Sequence, residues 1–147
     1  SSVDAAPACG DGVVVPGEYC LRLSPTTLSA SQGDVVSVDV GDLNEDGFLD
    51  VVVANLPYVA TGDLSDLAPD VLKEPRRALD GGPDGLSVIR RLIPQAYGAL
   101  EQGGRLFLEV GQGQAMAVGQ AVTQAGFSDV SIVRDFAGID RFIRGTR

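Results

Sequence analysis

The run Leu49-Asp50-Val51-Val52-Val53-Ala54 limits the fold more than any other stretch. After Asp50 it is continuously apolar and dominated by valine, and Pro57 ends it. Valine is stiff at χ1 and packs well on a pleated surface, so the run predicts a strand. With no polar alternation, it predicts burial on both faces. Just upstream, Val36, Val38 and Val40 alternate with Ser37 and Asp39. That period of two predicts a half-buried strand over Val35 to Val40, with a turn at Asn44 to Gly47.

The rest of the chain alternates helical and extended patterns. Leu64, Leu67, Val71 and Leu72 fall at helical spacings, with Asp63 or Ser65 available as an N-cap, and predict a short helix. Gly81 to Gly85 is a turn cluster. Leu86, Ile89, Leu92, Ile93, Ala96, Tyr97 and Leu100 mark one face of an amphipathic helix with Pro94 inside it and Gly103-Gly104 closing it. A strand is expected over Arg105 to Val110 and a helix over Gln114 to Ala125, ended by Gly126. Strands follow over Asp129 to Arg134 and Arg141 to Ile143, joined by a turn around Gly138. The pattern is α/β with a C-terminal antiparallel hairpin.

The N-terminal third has a different character. Ser1 to Ala8 reads as a disordered leader. Cys9 and Cys20 bracket a turn rich in Gly and Pro, where a disulfide would staple a short loop; two free thiols are the alternative. Leu21 to Gly33 is a Ser/Thr/Pro connector. The expected division is an irregular segment over 1–34, covering an exposed sheet edge, and an α/β domain over 35–147. A length of 147 residues suits one domain with a real core. Aromatics are only 5% and tryptophan is absent, so that core must be aliphatic. A net charge of −9 argues against nucleic-acid binding, which needs a basic surface. No apolar run approaches a membrane span. Histidine is absent, which removes the usual general base and the commonest metal imidazole.

Two motifs compete for the stretch from Val35 to Val59. Asp42-Leu43-Asn44-Glu45-Asp46-Gly47-Phe48-Leu49-Asp50 has the spacing D-x-N-x-D-G-x-x-D. Asp42, Asn44, Asp46, the Phe48 carbonyl and Asp50 offer alternate oxygens of the kind Ca²⁺ takes at flexible geometry. The motif lacks the closing Glu of an EF-hand, with Val53 in that place, and its flanks are strands. It resembles the calcium loops of FG-GAP/VCBS repeats in extracellular β-propellers, which implies a secreted binding module. The alternative is a polar turn between two strands.

The second resemblance is longer. Gly41-Asp42-Leu43 and then Asp50-Val51-Val52-Val53-Ala54-Asn55-Leu56-Pro57-Tyr58-Val59 resemble the GDL…DLIVSNPPYV segment of amino-methyltransferases. Glu74-Pro75-Arg76-Arg77-Ala78-Leu79-Asp80-Gly81-Gly82-Pro83-Asp84-Gly85 follows, then Leu108-Glu109-Val110-Gly111 with Gln114, and later Asp135-Phe136-Ala137-Gly138-Ile139-Asp140-Arg141. Together, from about Gly41 to Arg144, these resemble the C-terminal half of the HemK/PrmC family. That family methylates the glutamine of the GGQ motif in peptide release factors. The resemblance implies a truncated class I S-adenosylmethionine-dependent methyltransferase-like sheet, a cytoplasmic location and a release factor as partner. It also implies that the Asn55 side-chain oxygen and the Leu56 carbonyl accept the two N–H groups of the substrate amide. Tyr58 would pack on that amide, and Asp42, with Asn55, would contact the cofactor. Leu56 stands where the family has the first proline of N-P-P-Y.

The Gly-rich cofactor turn and the ribose-binding acidic residue have no counterpart upstream, so the chain is expected to be incomplete or inactive alone. The change of resemblance within Asp42 to Asn55 would also fit a chimera. An exposed sheet edge favours self-association, and the sequence leaves the oligomeric state open.

Overall fold

The structure, a computed structural model, describes residues 37–147. The expected leader, the Cys9–Cys20 staple, the connector and the first residues of the first strand lie outside the described residues.

Five strands form one mixed sheet in the order β1-β2-β3-β5-β4. They are β1 (Ser37–Gly41), β2 (Leu49–Asn55), β3 (Leu100–Glu109), β4 (Ser128–Arg134) and β5 (Asp140–Thr146). β2 and β3 are parallel, with Val52 opposite Leu106 and Asn55 opposite Glu109. β5 runs antiparallel to both β3 and β4, so the chain ends in the expected hairpin. The crossover from β2 to β3 carries two 3₁₀ turns (Thr61–Asp66 and Val71–Lys73), a single-turn α1 (Arg76–Leu79) and α2 (Ser87–Ala99). α3 (Ala115–Gln124) connects β3 to β4.

One aliphatic core joins the sheet to the helices. Val52, Ala54, Leu106, Leu108 and Ile143 meet Ile89, Leu92, Ile93 and Ala96 of α2, together with Ala115, Val118 and Val122 of α3. Full burial of one such side chain contributes about 1.5–3 kcal/mol. Tyr97 closes the lower edge, with its ring edge-on to Phe127 at 5.0 Å and the Arg147 guanidinium 5.0 Å above its centroid.

Three expectations are corrected. β2 is not buried on both faces: Val52 and Ala54 face the core, while Val53 is 45% exposed. Val133 and Phe142 also lie open, so the helices cover one face of the sheet among the described residues. The strand expected over Val35 to Val40 is present as β1, which folds back antiparallel on β2, with Gly41 opposite Val51 and Ser37 opposite Asn55. The helix expected around Leu64 is two 3₁₀ turns with only Leu64 buried. Ser and Asp compete there for the backbone, and Pro69 restricts the residue before it. Gly103-Gly104 lies within β3 rather than closing α2, and Gly103, at φ 85°, accommodates extra residues of β3 opposite Leu49–Val51.

Candidate functional site

Asn55-Leu56-Pro57-Tyr58 leaves the carboxyl end of β2, where ligands of open α/β sheets tend to bind. Asn55 is exposed, Leu56 and Pro57 are buried, and Tyr58 is half-buried. Burial of the two middle residues leaves the flanking side chains nearer solvent.

The loop is held from two directions. On the crossover side, Val59 and Asp80 form a parallel bridge: Val59 N donates to Leu79 O at 3.0 Å and Gly81 N donates to Val59 O at 2.8 Å. Thr61 N donates to Gly82 O at 2.9 Å. The Asp80 carboxylate gathers this corner. It accepts from Thr61 Oγ1 at 2.6 Å, Gly82 N at 3.0 Å and Arg76 Nε at 3.2 Å. The Thr61 hydroxyl is the main reason its pKa lies below the ordinary carboxylate value, with Gly82 N–H and Arg76 adding to the effect and partial burial opposing it. On the β3 side, Gln114 Nε2 donates to Tyr58 O at 2.8 Å, and Gly111 N donates to Gln114 Oε1 at 2.9 Å.

Glycines make this closeness possible. A Cβ on Gly81 would stand 2.8 Å from Pro57 O, and one on Gly111 would stand 2.9 Å from the Tyr58 ring. One on Gly85 would run into Tyr58 O. The turn cluster Gly81 to Gly85 therefore forms the floor of the Asn55–Tyr58 loop. Sequence reading missed Asp80 and Gln114 as fasteners, because Gln114 lies 56 residues from its partner Tyr58.

Asp42 is not brought to this loop. Because β1 is antiparallel to β2, Gly41 and Asp42 lie at the Asp50 end of β2, and Asn55 at the other. Five residues at about 3.3 Å each separate the two ends by roughly 16 Å. The Asp42 carboxylate accepts from its own loop, from Asp46 N at 3.2 Å and Gly47 N at 2.7 Å. The predicted cofactor pair Asp42 and Asn55 thus lies at opposite ends of β2.

The calcium reading is not supported either. Asn44 Oδ1 accepts from Asp46 N at 3.0 Å, and Asp46 Oδ1 accepts from Phe48 N at 3.0 Å. Asp50 Oδ2 accepts from Leu43 N at 2.5 Å. The side chains that were to hold a metal instead satisfy backbone N–H groups of the same turn. Among the described residues, no group of three or more acidic, histidine or cysteine side chains is placed to hold a metal ion. Glu101 faces this turn. Its hydrogen bond with Asp50 raises its pKa most, and the nearby charges of Asp46, Asp50 and Asp42 add to the rise. Asp50 moves the other way, chiefly through the Leu43 N–H.

No family model matches the sequence. Among curated proteins, a release factor glutamine methyltransferase of Moorella thermoacetica is 48% identical over 135 residues, covering 84% of this chain and 48% of that one. One from Caulobacter vibrioides is 42% identical over 142 residues, covering 95% and 47%. One from Thermodesulfovibrio yellowstonii is 46% identical over 91 residues, covering 61% and 33%. The chain thus spans a third to about half of the length of these relatives. Coverage of 95% cannot be reached within residues 37–147 alone, so the similarity runs into the first 36 residues. A solved protein-(glutamine-N5) methyltransferase (release factor-specific) from Alicyclobacillus acidocaldarius is 40% identical, with a TM-score of 0.37, covering 44% of this chain and 42% of that one. The mixed α/β sheet with its C-terminal antiparallel hairpin is consistent with part of a class I methyltransferase-like sheet, and by sequence the chain is similar to release factor glutamine methyltransferases.

Proposed function

We propose that this chain carries the amide-binding part of a protein-(glutamine-N5) methyltransferase, acting in the cytoplasm on a glutamine of peptide release factors. The identity of 48% over 135 residues to a relative so named is the observation that carries this reading. The loop Asn55–Tyr58, at the carboxyl end of a parallel strand and fastened on two sides, supports it.

An amide nitrogen is a weak nucleophile because its lone pair is delocalised into the carbonyl. Two acceptors aimed at its N–H groups localise that lone pair and orient the nitrogen, so positioning does most of the work. Here the Asn55 side-chain oxygen and the Leu56 carbonyl would be those acceptors, with the Tyr58 ring against the amide plane. S-adenosylmethionine supplies the methyl group when bound. In this reading the role of the Asn55–Tyr58 loop is to bind and orient the glutamine. The domain is taken to begin at residue 35.

Calorimetry with S-adenosylmethionine tests the enzymatic side. Saturable heat of binding is the expected result for the intact protein. No binding at millimolar cofactor would remove the reading.

A further inference from the structure

We infer that Gln114 is a positioning residue for the Asn55–Tyr58 loop, fixing the Tyr58 carbonyl from the opposite side of the β2–β3 crossover. This rests on the reading of that loop as the substrate-amide site. Gln114 stands at the N-cap of α3, yet its side chain does not cap its own helix. Both ends of its amide are used elsewhere: Oε1 accepts from Gly111 N at 2.9 Å and Nε2 donates to Tyr58 O at 2.8 Å.

Only one orientation of this amide works. Turned over, Oε1 would face the Tyr58 carbonyl and Nε2 would face the Gly111 N–H, giving two repulsive contacts in place of two hydrogen bonds. The backbone of Gln114 is fixed as well, since its N–H donates to Gly111 O at 3.1 Å and its carbonyl accepts from Val118 N at 3.0 Å. Two glycines clear the space. A Cβ on Gly85 would lie 2.7 Å from Gln114 Nε2, and a Cβ on Gly111 would lie 2.9 Å from Gln114 Oε1.

The result is a peptide gripped at both polar ends. The Tyr58 carbonyl is held by Gln114, and the N–H of the same peptide, Val59 N, is held by Leu79 O at 3.0 Å. That peptide is the exit of the loop whose Asn55 oxygen and Leu56 carbonyl would receive the substrate amide. Its orientation sets the stance of the Tyr58 ring.

Nuclear magnetic resonance of the whole chain with Gln114→Glu and Gln114→Ala tests the inference. Gln114→Glu keeps an acceptor for Gly111 N–H but turns the donor facing Tyr58 O into a second acceptor. The expected result is a Gly111 amide still protected from exchange, with Tyr58 ring and Val59 amide signals displaced. Gln114→Ala should lose both, while the Tyr97 and Phe127 ring signals report an unchanged core. Tyr58 and Val59 signals that superimpose on wild type in Gln114→Glu would overturn the inference.

Methyl transfer to a release factor gives a second readout. The turnover rate should fall roughly ten- to hundredfold in Gln114→Glu, with the KM for S-adenosylmethionine unchanged. Equal turnover in the variant and wild type would count against a positioning role. A wild-type protein that transfers no methyl group would overturn the methyltransferase reading instead, and the spectra would then decide the Gln114 contact by themselves.

Discussion

Gly85→Ala tests how tightly the turn cluster is fitted beneath the Asn55–Tyr58 loop. Two costs add. Gly85 has φ +76°, and an alanine in the left-handed region costs about 1–2 kcal/mol. Its Cβ would also press on Tyr58 O and stand 2.7 Å from Gln114 Nε2 and 3.2 Å from Ala60 N. Two of these three atoms are backbone, so relief requires the loop itself to move, which costs about 1–3 kcal/mol more. The sum is about 2–5 kcal/mol. At roughly 4 °C per kcal/mol for a domain of this size, Tm should drop by roughly 8–20 °C. Gly138→Ala is the matched control. Its φ is +79°, but nothing lies within 4 Å of its Cβ, so it reports the dihedral cost alone. Thermal denaturation followed by circular dichroism measures both. If Gly85→Ala melts no lower than Gly138→Ala, the close fit of the turn under the loop is wrong.

Two acidic residues should give opposite pH responses. Asp80 has a folded pKa below its unfolded value, so its contribution is complete above the ordinary carboxylate range and is lost as pH falls through the lowered value. Asp80→Asn should lower stability by about 1 kcal/mol at neutral pH and flatten the decline in Tm between about pH 4 and pH 2. A parallel decline in both proteins would sink this assignment. Glu101 has a raised folded pKa, so its contribution is present below the ordinary value and lost as pH rises through the raised one. At neutral pH its charge faces Asp50, Asp46 and Asp42, so Glu101→Gln should raise Tm at pH 7 and change it less near pH 4. A lower Tm at pH 7 would contradict the repulsion.

The sequence was most legible where periodicity and burial agree. α2 and α3 lie within a residue or two of the expected spans, because Ile89, Leu92, Ile93 and Ala96 or Val118 and Val122 mark a single inward face. β4 and β5 were also foreseen, with Gly138, at φ 79°, turning between them. Long-range pairing was not legible. Val36, Val38 and Val40 predict a strand without saying which neighbour it joins, and its antiparallel return along β2 separates Asp42 from Asn55. The valines of β2 hid a one-sided burial, since Val52 and Val53 look alike in sequence and lie on opposite faces. At the site, the position of Asn55–Tyr58 after β2 was readable. Its fasteners were not, because Gln114 acts through backbone groups that any residue would present, and Asp80 finds the Thr61 hydroxyl 19 residues away.

The most direct measurement is methyl transfer from labelled S-adenosylmethionine to a purified release factor, with the modified residue located by mass spectrometry. The protein is expected to place the methyl group on the side-chain nitrogen of a glutamine, and Asn55→Ala to lose that transfer while retaining the wild-type Tm to within a few degrees. Methylation of another residue, or full transfer by Asn55→Ala, would contradict the assignment of this loop to glutamine recognition.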